Sequence, residues 1–366
     1  MQSKIRKIGV LTSGGDSPGM NAAIRAVVRK AANEGVKAVG VYEGYKGLVE
    51  GSFVDLSSSS VTNKITVSGS FLYSSRCKEF ETPAGMEKAL ANCRKKGIDA
   101  IVAIGGDGTF AGAEDLAKHG ILAVGIPGTI DNDIVVSDYT VGFDSALNTT
   151  VNNLNCLRST CETHARLSVV ETMGRRCGML TLHAAIASGA AILAVPEIPF
   201  DEDEIIRKVQ EIRSTGKRGM LCVVCEGCFK EDGTKLSESL VRRFKTETEI
   251  ETTFEKFSHV VRGGLPTVRE NVTASEMGAA AVQLLLDGAS SVVIVERDGR
   301  IQPVEIHFAL ATQRMYRGNL TAEEKSTFTP KQFREMKALC ERRHAELVSL
   351  YQLSRDICHF HLTEFK

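Results

Sequence analysis

Two acidic side chains flank an amide in residues 127–133, a Pro-Gly-Thr-Ile-Asp-Asn-Asp segment of this 366-residue chain. Asp131 and Asp133 come shortly after the apolar run Ile121–Ile126. Such a run predicts a buried parallel strand, and open α/β sheets bind their ligands at the carboxyl ends of such strands. There a carboxylate can take the proton from a bound hydroxyl, or position Mg²⁺ beside a phosphate. The alternative for this segment taken alone is a polar turn that caps a helix.

Three glycine-bearing turns follow predicted strands, and each could hold a phosphoryl group. One contains Gly14 and Gly15, one runs from Gly105 to Thr109, and the third is the segment 127–133. Glycine lets backbone N–H groups approach phosphate oxygens, and helix N-termini favour anions. Asp107 in the second turn could reach Mg²⁺. The chain contains neither a Walker A nor a Rossmann glycine pattern, which disfavours P-loop NTPases and standard dinucleotide enzymes.

Basic side chains beside short polar motifs extend this phosphate-binding pattern. Arginine forks suit phosphate oxygens, although each arginine taken singly could lie on a solvated surface. Glu226 ends an apolar segment and could accept hydrogen bonds from a sugar hydroxyl, or be an ordinary acid at a strand end. The basic residues are Arg76, Arg166, Arg175, Arg176, His259 and Arg262.

Three cysteines, Cys222, Cys225 and Cys228, have a spacing that could indicate a metal site. The segment Met220–Cys225 reads as a strand, however, and residues three apart on a strand point to opposite faces. Buried thiols are therefore the better interpretation.

The elements that must position these residues repeat in the order strand, turn, helix, which predicts a doubly wound α/β fold. Predicted strands are Lys7–Thr12, Ala38–Tyr42, Ala100–Ile104, Ile121–Ile126, Leu167–Glu171, Ile192–Val195, Met220–Cys225 and Ser291–Val295. Predicted helices are Met20–Asn33, Phe110–Lys118, Asn148–Arg158, Gly178–Ser188, Asp201–Thr215, Glu276–Leu286 and a C-terminal helix, possibly broken, over Lys331–Leu353.

Composition narrows the class of protein. Basic and acidic residues both number 45, which argues against a nucleic-acid binder that depends on bulk charge. No apolar run has the length of a membrane span, and the N-terminus does not resemble a signal peptide. We therefore expect a cytoplasmic protein without membrane or nucleic-acid partners, whose ten cysteines are reduced thiols.

Taken together, the motifs resemble the 6-phosphofructokinase family, in its ATP-dependent bacterial form, phosphofructokinase A. The resemblance extends to about residue 300 and implies two similar doubly wound three-layer α/β/α lobes. A nucleotide-binding lobe would contain residues 1–142 and about 258–305. A sugar-phosphate lobe would contain 143–257 and about 306–366, including a C-terminal helical region. The motifs that carry the resemblance are residues 11–16, 18–21, 105–108, 127–133 and 173–175.

The resemblance also implies roles for individual residues. Asp131 would be the general base for the 1-hydroxyl of fructose 6-phosphate, with Thr129 and Arg175 beside it, and Asp107 would hold Mg²⁺. Arg166 would come from a neighbouring subunit, which implies a homotetramer. Nucleotide-binding positions would be Gly15, Arg76, Cys77, Gly106, Asp107, Gly108 and Thr109. Sugar-phosphate positions would be Thr129, Asp131, Asp133, Arg166, Met173, Gly174, Arg175, Glu226, His259 and Arg262.

Two glycines bear on the phosphoryl donor. Pyrophosphate-dependent members of the family typically carry Asp at the position of Gly108 and Lys at the position of Gly128. An acid at 108 would repel the α-phosphate of ATP. The resemblance therefore implies ATP as the donor, in a glycolytic kinase.

Several positions depart from the bacterial pattern. Thr253 stands where the family has a second arginine supplied by a neighbouring subunit. A kinase for a different sugar phosphate and a catalytically poor regulatory paralogue therefore remain alternatives, as does a pyrophosphate-dependent enzyme.

At the positions of the family's allosteric site, Ser58, Ala191 and Thr215 replace two cations and one carboxylate, which predicts weak or altered regulation. The effector-binding residues that remain are Arg25, Arg29, Arg158 and Lys217.

Overall fold

The computed structural model of the protein describes residues 5–358, and their contacts divide them into two compact units. The first unit comprises residues 5–130, 134–145 and 262–343, and the second comprises 131–133, 146–261 and 344–358. Residues 306–343 thus belong to the first unit, whereas the lobe boundaries implied by the resemblance place them with the sugar-phosphate lobe. The functional assignment of the lobes stays a prediction.

Eleven strands form two sheets in the described residues. Those of the first unit are β1 (Lys7–Thr12), β2 (Lys37–Val41), β3 (Phe53–Leu56), β4 (Ala100–Gly105), β5 (Leu122–Pro127), β10 (Val292–Arg297) and β11 (Arg300–Glu305). Those of the second unit are β6 (Leu167–Thr172), β7 (Ile192–Ala194), β8 (Met220–Cys225) and β9 (Thr252–Phe257).

The α-helices alternate with these strands, and 3₁₀ turns lie at Glu79–Glu81 and His259–Arg262. The helices are α1 (Met20–Asn33), α2 (Tyr45–Glu50), α3 (Pro83–Lys96), α4 (Asp107–Lys118), α5 (Phe143–His164), α6 (Met179–Ser188), α7 (Glu202–Ser214), α8 (Leu236–Glu247), α9 (Val268–Leu286), α10 (Ile306–Tyr316), α11 (Ala322–Ser326) and α12 (Pro330–Cys358). None of the helices within residues 5–358 is long and apolar enough to cross a membrane.

The sheet of the first unit has the strand order β11-β10-β5-β4-β1-β2-β3. Its five central strands are parallel, while β3 and β11 run antiparallel at the two edges. The chain passes from β1 to β2 on one side and returns to β4 on the other, so the order reverses between β1 and β4. Open α/β sheets bind ligands beyond the carboxyl ends of the strands at such a switch point.

The sheet of the second unit is parallel, with the order β7-β8-β6-β9. The predicted strand Met220–Cys225 is confirmed, and Cys222, Cys225 and Cys228 are all buried. Burial raises the pKa of the Cys222 and Cys225 thiols to about 12 and also raises that of Cys228. These thiols therefore stay protonated near neutral pH, as expected for packing residues.

Most predicted elements are confirmed, and the differences have local causes. The predicted bounds of β1, α1 and β8 agree with the structure, because their apolar residues follow one regular period. The C-terminal helix is continuous over Pro330–Cys358 rather than broken. Strands β3, β9 and β11 had no strong apolar run, since they are only partly buried. Helix α3 is capped by the preceding residue Thr82, whose side chain accepts a hydrogen bond from the Gly85 backbone N–H.

Candidate active site

In the first unit, the turns after β1 and β4 are joined at the switch point of the sheet. The backbone N–H of Ser13 donates to the carbonyl of Ile104 at 3.0 Å, and the Thr109 hydroxyl donates to the Ser13 carbonyl at 3.1 Å. Gly105 is required here, because a side chain at this position would collide with Ser13 and Thr109. The two turns are therefore held together by hydrogen bonds within the protein.

Asp107 is the first residue of α4, directly after Gly106. The N-terminus of a helix carries partial positive charge and favours both a carboxylate and bound phosphate. The carboxylate of Asp107 forms an ion pair with Arg317, in which Nη1 of the arginine is 2.9 Å from Oδ2 of the aspartate. Arg317 has no motif around it in the sequence, so the sequence alone did not reveal it.

The glycines of this region differ in what the protein demands of them. A Cβ atom placed on Gly106 or Gly108 would meet nothing within 4 Å. Neither glycine has a positive φ, so neither packing nor backbone conformation within residues 5–358 requires a glycine at these positions. By contrast, a Cβ on Gly128 would come within 3.0 Å of Ile104 and Met20. Gly128 is thus already explained by packing, and its value as an indicator of the donor is smaller than that of Gly108.

Arg262 lies in the first unit, beside the glycine-bearing turn after β1. Its Nη1 is 3.2 Å from the Asp16 carboxylate and 3.3 Å from the position that a Cβ of Gly15 would occupy. The sequence placed Arg262 among sugar-phosphate residues, most of which lie in the second unit. The structure places it beside Gly15, a predicted nucleotide residue, and its role toward sugar phosphate stays a prediction. Of the remaining predicted nucleotide positions, Arg76 and Cys77 follow a loop whose Ser74 hydroxyl donates to the Gly14 carbonyl at 2.7 Å.

In the second unit, Asp131 and Arg175 are brought together. Asp131 is only 5% exposed, and its Oδ2 lies 3.8 Å from Nε of Arg175, which is itself largely exposed. Asn132 and Arg175 both have positive φ values, 49° and 53°. Left-handed backbone is uncommon outside glycine and persists where the surroundings enforce it, often at functional sites.

Glu226 fixes the turn that presents Arg175. Its Oε1 accepts hydrogen bonds from the backbone N–H groups of Gly174 and Arg175, at 3.3 and 3.1 Å. Gly174 has a φ of 142°, and a side chain there would collide with the Cys177 carbonyl. The carboxylate predicted to bind sugar hydroxyls therefore also holds the turn Met173–Arg175 in shape.

Other predicted residues of the second unit are more dispersed. Arg166 pairs with Glu251 at 2.7 Å, and His259 lies in an exposed 3₁₀ turn where its Nδ1 is 3.1 Å from the Ser258 hydroxyl. Thr253, at the expected arginine position, lies within β9 opposite Ser168.

The remaining predicted positions are divided between the units. Thr129 belongs to the first unit, where its carbonyl accepts from the Thr140 hydroxyl at 2.7 Å, while Asp133 belongs to the second. The predicted effector residues are also divided, with Arg25 and Arg29 on α1 and with Arg158 and Lys217 in the second unit.

Comparison with known proteins gives one consistent result. A family model described as phosphofructokinase matches residues 7–285. ATP-dependent 6-phosphofructokinase 1 of Clostridium perfringens is 46% identical over 312 residues, which are 85% of this chain and 96% of that protein. ATP-dependent 6-phosphofructokinase of Halothermothrix orenii is 43% identical over 317 residues, with the same shares of the two chains.

Solved structures agree with these relatives. Phosphofructokinase from Saccharomyces cerevisiae aligns with a TM-score of 0.84 and 30% identity, over 96% of this chain and 50% of the yeast chain. This protein thus spans about half the length of that chain. A pyrophosphate-dependent phosphofructokinase from Nitrosospira multiformis has a TM-score of 0.74 at 20% identity, over 82% of this chain and 83% of that one, and so shares the fold. The α/β fold class and the resemblance expected from the sequence are confirmed. This chain belongs to the phosphofructokinase family.

Proposed function

We propose that the protein transfers the γ-phosphoryl group of ATP to the 1-hydroxyl of fructose 6-phosphate, giving fructose 1,6-bisphosphate in glycolysis. The observation that carries this proposal is the buried carboxylate of Asp131 with the guanidinium of Arg175 3.8 Å away. A base and a cation at this distance suit a reaction in which a hydroxyl loses its proton while negative charge moves onto a phosphoryl group.

Each residue then has a defined task. Asp131 accepts the proton of the attacking hydroxyl, which makes its oxygen a better nucleophile. The Arg175 side chain stabilises charge on the transferring group, and the Met173–Arg175 turn, held by Glu226, keeps this cation in place. Because phosphoryl transfer needs little covalent work from the protein, positioning of this kind supplies most of the catalysis.

Residues of the first unit suit the nucleotide and its metal. The N-terminus of α4 carries partial positive charge and would present the backbone N–H of Gly108 to phosphate oxygens. Mg²⁺ is commonly held by one or two carboxylates together with substrate phosphates, so the partly exposed Asp107 carboxylate fits this ion. When bound, Mg²⁺ would neutralise phosphate charge. Arg262 adds a cation beside the turn after β1, and Arg76 lies two residues after Ser74, whose hydroxyl donates to the Gly14 carbonyl of that turn.

Gly108 supports ATP over pyrophosphate as donor. The protein leaves open space where its side chain would be, and nothing in the described residues requires glycine there. Space reserved in this way fits a ligand that extends past the transferred phosphoryl group, as a nucleotide does. The relatives from C. perfringens and H. orenii carry ATP dependence in their names.

The test is a coupled assay of the purified protein with fructose 6-phosphate and either ATP or pyrophosphate at matched Mg²⁺. We expect turnover with ATP and at least a hundredfold lower kcat/KM with pyrophosphate. The reverse preference would overturn the donor assignment. Turnover of another sugar phosphate in preference to fructose 6-phosphate would overturn the substrate, and absence of turnover with every pair would support a regulatory paralogue.

We further propose a homotetramer in the cytoplasm, with Arg166 completing the site of a neighbouring subunit. The Arg166–Glu251 pair at 2.7 Å would hold this arginine until the subunits assemble. Size-exclusion chromatography with light scattering tests the assembly, and a monomer with full activity would contradict it. Weak response to ADP or phosphoenolpyruvate is expected from Ser58, Ala191 and Thr215, and saturation curves with each effector measure it.

A further inference from the structure

Arg317 lies at the end of α10, in a position fixed by the protein backbone. Its own N–H donates to the Gln313 carbonyl at 3.1 Å, and the N–H of Gly318 donates to the Met315 carbonyl at 3.0 Å. Gly318 has a φ of 71°, the left-handed conformation that commonly ends a helix. The arginine therefore projects from a well-defined helix terminus rather than from a loose loop.

The ends of two helices place opposite charges at this point. Helix α10 packs against α4, and its C-terminal end favours a cation such as Arg317. The N-terminal end of α4 favours an anion such as Asp107. The 2.9 Å ion pair between them leaves both side chains partly exposed, so water and ions can reach it.

An arginine on this carboxylate changes what a divalent cation meets. A metal ion approaching Asp107 alone would find its negative charge already balanced, and the guanidinium would repel the ion. A metal ion that arrives with nucleotide phosphates brings negative charge of its own, to which a freed arginine can turn.

We propose that Arg317 is a positioning residue that neutralises Asp107 until Mg²⁺ arrives with the nucleotide, so that Asp107 does not collect divalent cations by itself. This inference rests on the proposed function, because it takes Asp107 as the residue toward Mg²⁺. It assigns Arg317 a task that no sequence motif indicates.

The test is equilibrium titration of the full chain with Mn²⁺, followed by electron paramagnetic resonance, in the absence of nucleotide. Replacing the guanidinium by an uncharged chain of similar length, Arg317→Met, should tighten Mn²⁺ binding about two- to fivefold, the scale of a partly exposed ion pair. Arg317→Lys, which keeps the charge, should remain near the wild-type value. The double variant Arg317→Met/Asp107→Asn should lose the gain.

Arg314→Met is the matched control. Arg314 lies on the same helix one turn earlier but pairs with Glu324 at 2.7 Å. The Arg314→Met variant should therefore bind Mn²⁺ as the wild type does. The proposal is overturned if Arg317→Met binds Mn²⁺ no more tightly than wild type, or if Arg314→Met shows the same gain. Failure of the proposed kinase function would appear as absent turnover in the wild-type assay and would leave this titration readable.

Discussion

The two units bury carboxylates in opposite ways. In the first unit Glu270 is fully buried and accepts hydrogen bonds from the Gly142 N–H, at 2.7 Å, and from the Ser145 hydroxyl, at 3.0 Å. In the second unit Glu171 is also buried, but it is bound by two ammonium groups, Lys235 at 2.8 Å and Lys256 at 3.0 Å.

The difference shows in the acidity of the two groups. Burial raises the pKa of Glu270 to about 7, because the hydrogen bonds from Gly142 and Ser145 offset only part of the lost hydration. Burial also acts to raise the pKa of Glu171, but hydrogen bonds from Lys235, Ser237 and Lys256 outweigh it and bring the pKa below its usual value. Hydrogen bonds from neutral donors thus leave the pKa of the buried Glu270 raised, whereas the ammonium groups beside Glu171 favour its ionised form.

Asp131 in the second unit also has a cation nearby, with Nε of Arg175 3.8 Å from its Oδ2. The role of general base proposed for Asp131 requires a carboxylate that is ionised before it takes the proton. In the first unit, the deeply buried acid Glu270 instead holds the backbone at the start of α5.

The largest expected effect is on turnover. Asp131→Asn keeps the shape of the side chain but cannot accept the proton, so kcat should fall by about a thousandfold while the protein stays folded. The coupled assay and a thermal unfolding scan measure the two quantities. The matched variant Asp133→Asn should lose much less in kcat. Near-normal turnover of Asp131→Asn would refute its role as base.

The next effect concerns Glu270 and the stability of the first unit. Its pKa of about 7 lies above the unfolded value of 4.5, so its contribution to stability is full below pH 4.5 and is lost as the pH rises through 7. The loss is on the order of 3 kcal/mol. Glu270→Gln should remove this dependence. Unfolding midpoints of both proteins between pH 4.5 and 8 provide the measurement, and parallel curves would contradict the assignment.

Glu171 should show the opposite slope. Because its folded pKa is depressed, its stabilising contribution is present above pH 4.5 and is lost as the pH falls below that value. Glu171→Gln should cost about 2 kcal/mol of unfolding free energy at pH 7, from weaker hydrogen bonds to the lysines. The difference from wild type should shrink toward pH 3. A difference that grows on acidification would break the comparison between the units.

The smallest effect separates two glycines of the first unit. Gly128→Ala should destabilise the protein by about 1 kcal/mol, because the new methyl group presses on Ile104 and Met20. Gly108→Ala enters open space and should leave stability unchanged or slightly raised, since alanine favours the helix. Denaturant titrations measure both, and equal losses would show that Gly108 is also required by packing.

Much of the fold could be predicted from local patterns. The apolar runs that became β1, β4, β5 and β8 are continuous and fully buried or nearly so, which is the clearest signal a parallel strand can give. The glycines after them marked the turns. Partly buried strands such as β9 and β11 gave weaker patterns, because side chains that face solvent need not be apolar.

By itself, the sequence determined the α/β class, the family and the residue types available for chemistry, because short motifs and apolar periodicity are local properties. Only the tertiary structure decided which charges meet. Arg317 reaches Asp107 across 210 positions of chain, Arg262 pairs with Asp16, and Glu226 holds the turn that contains Arg175. Ion pairs and hydrogen bonds act over a few ångströms of space, and separation along the chain does not reveal that distance.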